Sequence, residues 1–175
     1  MAATGDIVMH IETKGLSIIA RALGLAGIAF TLTARADQLE NKSAADCVAV
    51  AGTATLRADG GIENASASTV TVMCPVERRS AGGAFNNFLA GRVWAVDRHA
   101  SAGVCCRVVS VNPGSGAVVE SAPVCTAGAS TAMQSIDLPE INDGFSFSHF
   151  AVRCDLPAAA AGARSRVQTV RNIQR

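Results

Sequence analysis

Tyrosine is absent from this chain, tryptophan occurs once, and aromatic residues make up only 4% of it. An aromatic platform for stacking sugars is therefore poorly supplied. Charge is scarce too: Asp, Glu, Lys and Arg reach 17% together and nearly cancel, for a formal net charge of +1. That excludes a charge-swollen disordered chain. It also removes the basic footprint of a nucleic-acid binder. The spacings C-x-x-C and H-x-x-x-H are missing, which argues against a zinc frame or a dithiol redox motif. Sustained helical periodicity is missing between positions 47 and 155. One local match, Phe85, Phe88 and Leu89, is boxed in by Gly82-Gly83 and Gly91 and allows a single helical turn at most.

What is present divides at position 36. Lys14 and Arg21 precede the apolar run Ala22–Leu32, and Ala34-Arg35-Ala36 follows in the small-x-small pattern of a secretory cleavage site. The uncharged run is shorter than the roughly 20 residues a membrane helix needs. Residues 1–36 are therefore expected to be a signal peptide and 37–175 a single domain with no stable membrane span. Cleavage removes Lys14, Arg21 and Arg35 against Asp6 and Glu12, leaving equal numbers of basic and acidic residues.

Six cysteines, Cys47, Cys74, Cys105, Cys106, Cys125 and Cys154, all follow the leader. An even number behind a signal peptide points to a disulfide framework. Sequence leaves most of the pairing open, but one pairing has a local argument. Asn112-Pro113-Gly114-Ser115-Gly116 is a strong turn between Val104–Val111 and Ala117–Val124. Folding about Ser115 sets position 105 opposite 125, so Cys105 or Cys106 is expected to bridge to Cys125. Adjacent strand residues face opposite sides, so the other vicinal cysteine needs a different partner.

From Cys47 onward the chain reads as short strands between Gly, Asn, Ser and Pro. In Thr69–Val76, the residues Val70, Val72, Cys74 and Val76 share one face. Phe150, Val152 and Cys154 do the same. Arg92–Val96 and Val104–Val111 are further strands, with weaker ones at Val48–Val50, Thr53–Leu56, Val118–Ala122 and Ser135–Leu138. Ser165–Ile173 reads as a final strand returning beside an early one. The pattern predicts an all-β fold: an antiparallel, jelly-roll-like β-sandwich.

The segments Gly61-Ile62-Glu63-Asn64-Ala65-Ser66, Val70-Thr71-Val72-Met73-Cys74-Pro75 and Val152-Arg153-Cys154-Asp155-Leu156-Pro157 give a resemblance. The chain resembles small secreted bacterial proteins of unknown function that share a G-x-x-N-x-S … V-T-x-x-C-P start and a V-x-C-x-L-P end. The resemblance implies a disulfide-bonded sandwich in the cell envelope or outside it, and carries over no catalytic residue. It marks Cys105 and Cys125 as additions to the group's usual cysteines, in keeping with their being partners.

Few constellations carry chemistry. Gly114-Ser115-Gly116 lacks the glycines of a nucleophile elbow, because Pro113 and Ala117 stand in their places. Asp97-Arg98-His99 and His149 supply the histidines a small hydrolase would need, yet the first reads as solvated loop and the second as a packed or surface residue. Asp137, Glu140 and Asp143 fall in an expected loop whose oxygen ligands suit Ca²⁺, although Asn142-Asp143-Gly144 is also ordinary turn chemistry. Apart from that calcium no cofactor is expected. The reading is a non-enzymatic secreted or periplasmic structural or interaction protein binding an envelope or extracellular component. The alternative is a carbohydrate-binding module, calcium-assisted through those carboxylates. N-terminal sequencing of exported protein is expected to begin at Asp37, within a few residues, and an intact exported chain would contradict the leader.

Overall fold

The computed structural model describes residues 38–81, 84–85, 88–160 and 162–174. The expected leader, residues 1–36, lies outside them. In chain order the strands are β1 (Gln38–Ser43), β2 (Val48–Ala51), β3 (Ala54–Leu56), β4 (Ile62–Asn64), β5 (Val70–Val76), β6 (Ser80–Ala81) and β7 (Ala84–Phe85). There follow β8 (Phe88–Val96), β9 (Cys105–Val111), β10 (Val118–Glu120), β11 (Val124–Cys125), β12 (Gln134–Asn142), β13 (His149–Leu156) and β14 (Arg166–Gln174). The only helical element among the described residues is one 3-10 turn, Ala44–Asp46, capped by the Ser43 hydroxyl. Phe85, Phe88 and Leu89 lie in strands rather than a helical turn, because pairing with Ser80 for the first and with β12 for the other two supplies the hydrogen bonds a glycine-flanked turn cannot.

The chain is an antiparallel, jelly-roll-like β-sandwich. One sheet runs β12-β8-β14-β4-β3, with β1 also on β14; the other runs β10-β9-β13-β5-β2, with β11 also on β9. The final strand does return beside early ones. Arg166 and Val167 pair with Glu63 and Ile62, and beyond them Thr169–Gln174 pairs with β1.

Period-two patterning builds the core. Val70, Val72, Cys74 and Val76 on β5 are buried, as are Phe150, Val152, Cys154 and Leu156 on β13. Opposite them stand Leu89, Val93 and Ala95 on β8, Ile136 and Leu138 on β12, and Val167 and Val170 on β14. With few aromatics to fill it, the core is made of β-branched side chains that pack well on a pleated surface. Gly91 lets the sheets approach. A Cβ there would stand 3.2 Å from Leu138 Cδ1 and 3.3 Å from Val108 Cγ1 of the opposite sheet.

All three disulfides staple neighbouring strands of the second sheet. They are Cys47–Cys74, Cys105–Cys125 and Cys106–Cys154, with Cα separations of 4.0, 4.0 and 4.1 Å. The hairpin argument holds: Cys105 faces Cys125, and Cys106, pointing into the core, takes Cys154 on the other neighbour. Near the turn Val118 pairs with Val111 and Glu120 with Val109, one residue out of step with the Cys105/Cys125 register. The step is taken up at Ser121, whose N–H donates to Val108 O while its Oγ accepts Val108 N–H.

The two motifs of the resemblance meet in space. Asn64 is fully buried, and its amide donates to Ser68 O at 2.7 Å, Pro157 O at 2.9 Å and Leu156 O at 3.2 Å. Its Oδ1 accepts from Ser66 N and Ser66 Oγ. The G-x-x-N-x-S segment thus locks the V-x-C-x-L-P segment where β13 leaves the sheet.

Replacing both Cys105 and Cys125 by Ser is expected to cost about 3 kcal/mol through loop entropy while keeping the fold, since that bridge lies on the outer face. Replacing Cys106 and Cys154 is expected to cost more, because the loop is longer and the thiols are fully buried. Urea unfolding followed by circular dichroism measures both; equal losses would contradict the inward and outward assignment.

Candidate functional site

The residues singled out as calcium ligands are dispersed. The expected loop is mostly strand, since β12 continues through Pro139 by a register shift between Leu138 and Ile141. Asp137 points outward on β12, opposite Arg92 of β8, and its Oδ1 accepts from Arg92 Nε. Glu140 is exposed at the bulge. Asp143 is buried at one end of the sandwich, where its carboxylate accepts the Ser110 and Ser148 hydroxyls and the Phe145 N–H. Arg78 closes that end. It donates to Ser148 Oγ and Phe145 O, both at 2.6 Å, and its guanidinium lies 5.1 Å from the Phe150 ring centroid. Among the described residues no group of three or more His, Cys, Asp or Glu is placed to hold a metal ion. Asn142 Oδ1 accepts Gly144 N–H, and Gly144 has φ +61°, so the Asn-Asp-Gly signal is that of a turn.

The Asp97-Arg98-His99 cluster lies just past β8, as read from the sequence, but Asp97 is not solvated. It is fully buried, accepting Thr126 Oγ1 at 2.6 Å, Ser165 Oγ at 2.8 Å and His99 N–H at 3.0 Å. These bonds satisfy a polar group that burial would otherwise penalise. His99 Nδ1 accepts from the Ser101 and Ala102 N–H groups, so it serves the loop. His149 is exposed at the start of β13.

The outer face of the first sheet carries the chain's one tryptophan. Val93 and Ala95 point into the core, so Arg92 and Trp94 must point out. Trp94 is half-buried and forms a wall of a groove of about 320 Å³ lined by Asn41, Met133, Gln168, Thr169 and Arg171. Three strands bring these together. Thr169 of β14 pairs with Trp94, Arg171 pairs with Arg92, and Asn41 of β1 pairs with Arg171. A bulge between Val167 and Thr169 turns two successive side chains, Gln168 and Thr169, toward the groove, while Val167 and Val170 stay inside. The spacing Val-Gln-Thr-Val, which breaks period two, is the sequence signal for it.

Polar contacts hold these groups in place. Arg171 Nε donates to Asn41 Oδ1 at 2.7 Å, and its Cζ lies 4.9 Å from the Trp94 ring centroid; Arg92 Cζ lies 6.0 Å from it. Gln168 Nε2 donates to Asp59 O at 2.7 Å, tying the groove to the β3–β4 hairpin. That hairpin turns at Gly60, φ +79°, where a Cβ would lie 2.5 Å from Ser43 Oγ. Beside it Glu63 is buried between two guanidiniums, with Arg57 Nη1 at 2.9 Å and Arg164 Nη1 at 3.0 Å. Burial alone would raise the Glu63 carboxyl. The hydrogen bonds from Arg57 and Arg164 outweigh it and hold the group below its ordinary 4.5.

No family model and no curated protein matches the chain. Among solved structures it is similar to a family two carbohydrate esterase from Cellvibrio japonicus, at 11% identity and TM-score 0.40, covering 80% of this chain and 35% of the esterase. The chain thus spans about a third of the esterase's length. It is also similar to the low-affinity xylan binding module CBM86 of Roseburia intestinalis, at 15% identity and TM-score 0.47, covering 79% of this chain and 96% of the module. A third is the xylan-binding module CBM15, at 12% identity and TM-score 0.48, with coverage of 79% and 97%. At these values the likeness is one of β-sandwich architecture alone.

The electrostatics of the hairpin give a pH prediction. A carboxyl whose folded pKa is lowered stabilises fully above its unfolded value, and that stabilisation is lost as pH falls through the folded one. The native chain is therefore expected to exceed Glu63→Gln in stability near neutrality. The gap is expected to close below about pH 4, as the carboxyl titrates. Denaturant midpoints measured from pH 7 down to pH 3 check this, and a gap unchanged across that range would contradict it.

Proposed function

We propose that this chain is a secreted, non-catalytic module that binds a carbohydrate across the outer face of its first sheet, with Trp94 as the stacking surface. The observation that carries the reading is the position of the sole tryptophan. It is turned away from the core into a groove whose other walls are the hydrogen-bonding side chains Asn41, Gln168, Thr169 and Arg171. An apolar ring face beside planar amides and a guanidinium matches a sugar, which presents C–H faces and hydroxyl edges. The groove is open and holds one aromatic, so affinity belongs in the weak range, with Kd about 0.1–1 mM.

The non-catalytic part rests on how the acids are used. Asp97 and Asp143 both contact serine hydroxyls, but each is buried at an end of the sandwich and faces no histidine side chain. An export role rests on the three disulfides, a bonding pattern that persists in oxidising compartments. Among the described residues no helix is long and apolar enough to cross a membrane. A protein-interaction role is the second reading, favoured by the edge strand β2, where Val48 and Val50 are 58% and 55% exposed.

Affinity electrophoresis through gels containing soluble plant and bacterial polysaccharides tests the proposal. At least one polysaccharide is expected to retard the native chain, and Trp94→Ala is expected to abolish the retardation with little loss of stability, because the ring lies outside the core. Mobility unchanged by every polysaccharide, or retardation indifferent to Trp94→Ala, would overturn it.

A further inference from the structure

We infer that the Trp94 groove selects an acidic glycan, a polysaccharide bearing uronate carboxylates, and that Arg171 is the selecting residue; this rests on the sugar-binding reading above. The inference comes from how the arginines at the groove are matched. Arg92 is neutralised by Asp137 across the β8–β12 pair. Arg171 is not. Its Nε donates to the neutral Asn41 Oδ1, and its guanidinium pairs with no carboxylate among the described residues. Among the described residues neither terminal NH₂ group has a protein acceptor.

The cation is held in place rather than free to swing. Its stem rises from the middle of β14, Asn41 fixes Nε, and the Trp94 ring supports the guanidinium plane at 4.9 Å. A pre-oriented guanidinium fork is suited to a carboxylate, which it meets through two parallel hydrogen bonds. A carboxyl carried by a sugar that touches the indole falls within reach of that fork. A neutral sugar would leave the charge only partly hydrated and gain less. The same imbalance continues past Gln168. There Arg57, Arg164 and Arg166 outnumber Asp59 and Glu63, on a chain whose charges beyond residue 36 balance. One positive charge is thus left in excess on the Gln168 side of the groove, a bias that favours a polyanion.

The test uses glucuronoxylan and polygalacturonate, each in native form and after chemical reduction of its carboxyls to primary alcohols, titrated into the native chain, Arg171→Gln and Trp94→Ala. The native chain is expected to bind at least one polymer roughly tenfold more tightly in its acidic form at low salt, consistent with one charge-assisted pair. Arg171→Gln is expected to bind acidic and reduced forms alike, and both more weakly than the native chain binds the acidic one. About 0.5 M salt is expected to erase the preference in the native chain. Trp94→Ala is expected to lose both forms. Equal binding of acidic and reduced polymer by the native chain, still dependent on Trp94, would overturn the acidic selection and leave the sugar-binding reading standing. A preference for the acidic form that survives in Arg171→Gln would overturn the assignment to this residue. Binding of neither form of either polymer would overturn the acidic selection, while retardation by a neutral glycan would still support the broader reading.

Discussion

All three disulfides lie within one sheet, so no disulfide joins the two sheets, and the sandwich closes through apolar contact in its interior and hydrogen-bonded side chains at its ends. That contact is made mostly of valine, isoleucine, leucine and alanine, with Phe150 the largest fully buried side chain among the described residues. Small β-branched residues fill an interior only if the sheets come close. Gly91 against Val108 and Leu138 shows how tightly they do. The bridges reinforce the stapled sheet instead, joining β2 to β5, β13 to β9 and β9 to β11. The first sheet relies on β14, which pairs along its length with β8 on one side and with β1 and β4 on the other.

A sandwich built this way has two open ends where polar backbone meets the core. Each end is closed by a buried polar side chain with its hydrogen bonds satisfied: Asn64 and Asp97 at one, Asp143 with Arg78 at the other. Each of these groups joins segments distant in sequence, and Asn64 ties residues separated by 93 positions. Losing one would leave buried partners unsatisfied, so such residues resemble catalytic candidates in sequence while acting as structural ties.

What was legible in the sequence followed from period two. Val70 to Val76 and Phe150 to Cys154 declared their buried faces, and Cys105 and Cys106 had to point in opposite directions, which placed one on Cys125 and sent the other elsewhere. β1 was not legible because Gln-Leu-Glu-Asn-Lys-Ser carries almost no apolar signal; it is a strand because β14 offers it an edge. β4 is too short to show a period. The carboxylates of 137–143 looked like a cluster because they are close in sequence, but strand alternation turns Asp137 out and the chain turns Asp143 in. The outward setting of Trp94 was not read because a count of aromatics says nothing about direction. Arg92 beside it, together with the inward Val93 and Ala95, already determined which way the ring points.

The division of labour follows from these constraints. The stapled sheet and the closed ends supply stability, and the unstapled sheet presents Trp94, Asn41, Gln168, Thr169 and Arg171 on an outer surface that the core does not use. Because Trp94 is the only tryptophan, its fluorescence reports on that surface without interference. Titration of the native chain with a polysaccharide that retards it is the most direct test of the account. Emission is expected to shift or quench saturably, over the same concentration range as binding. Binding that leaves Trp94 emission unchanged would place the ligand elsewhere and contradict the account.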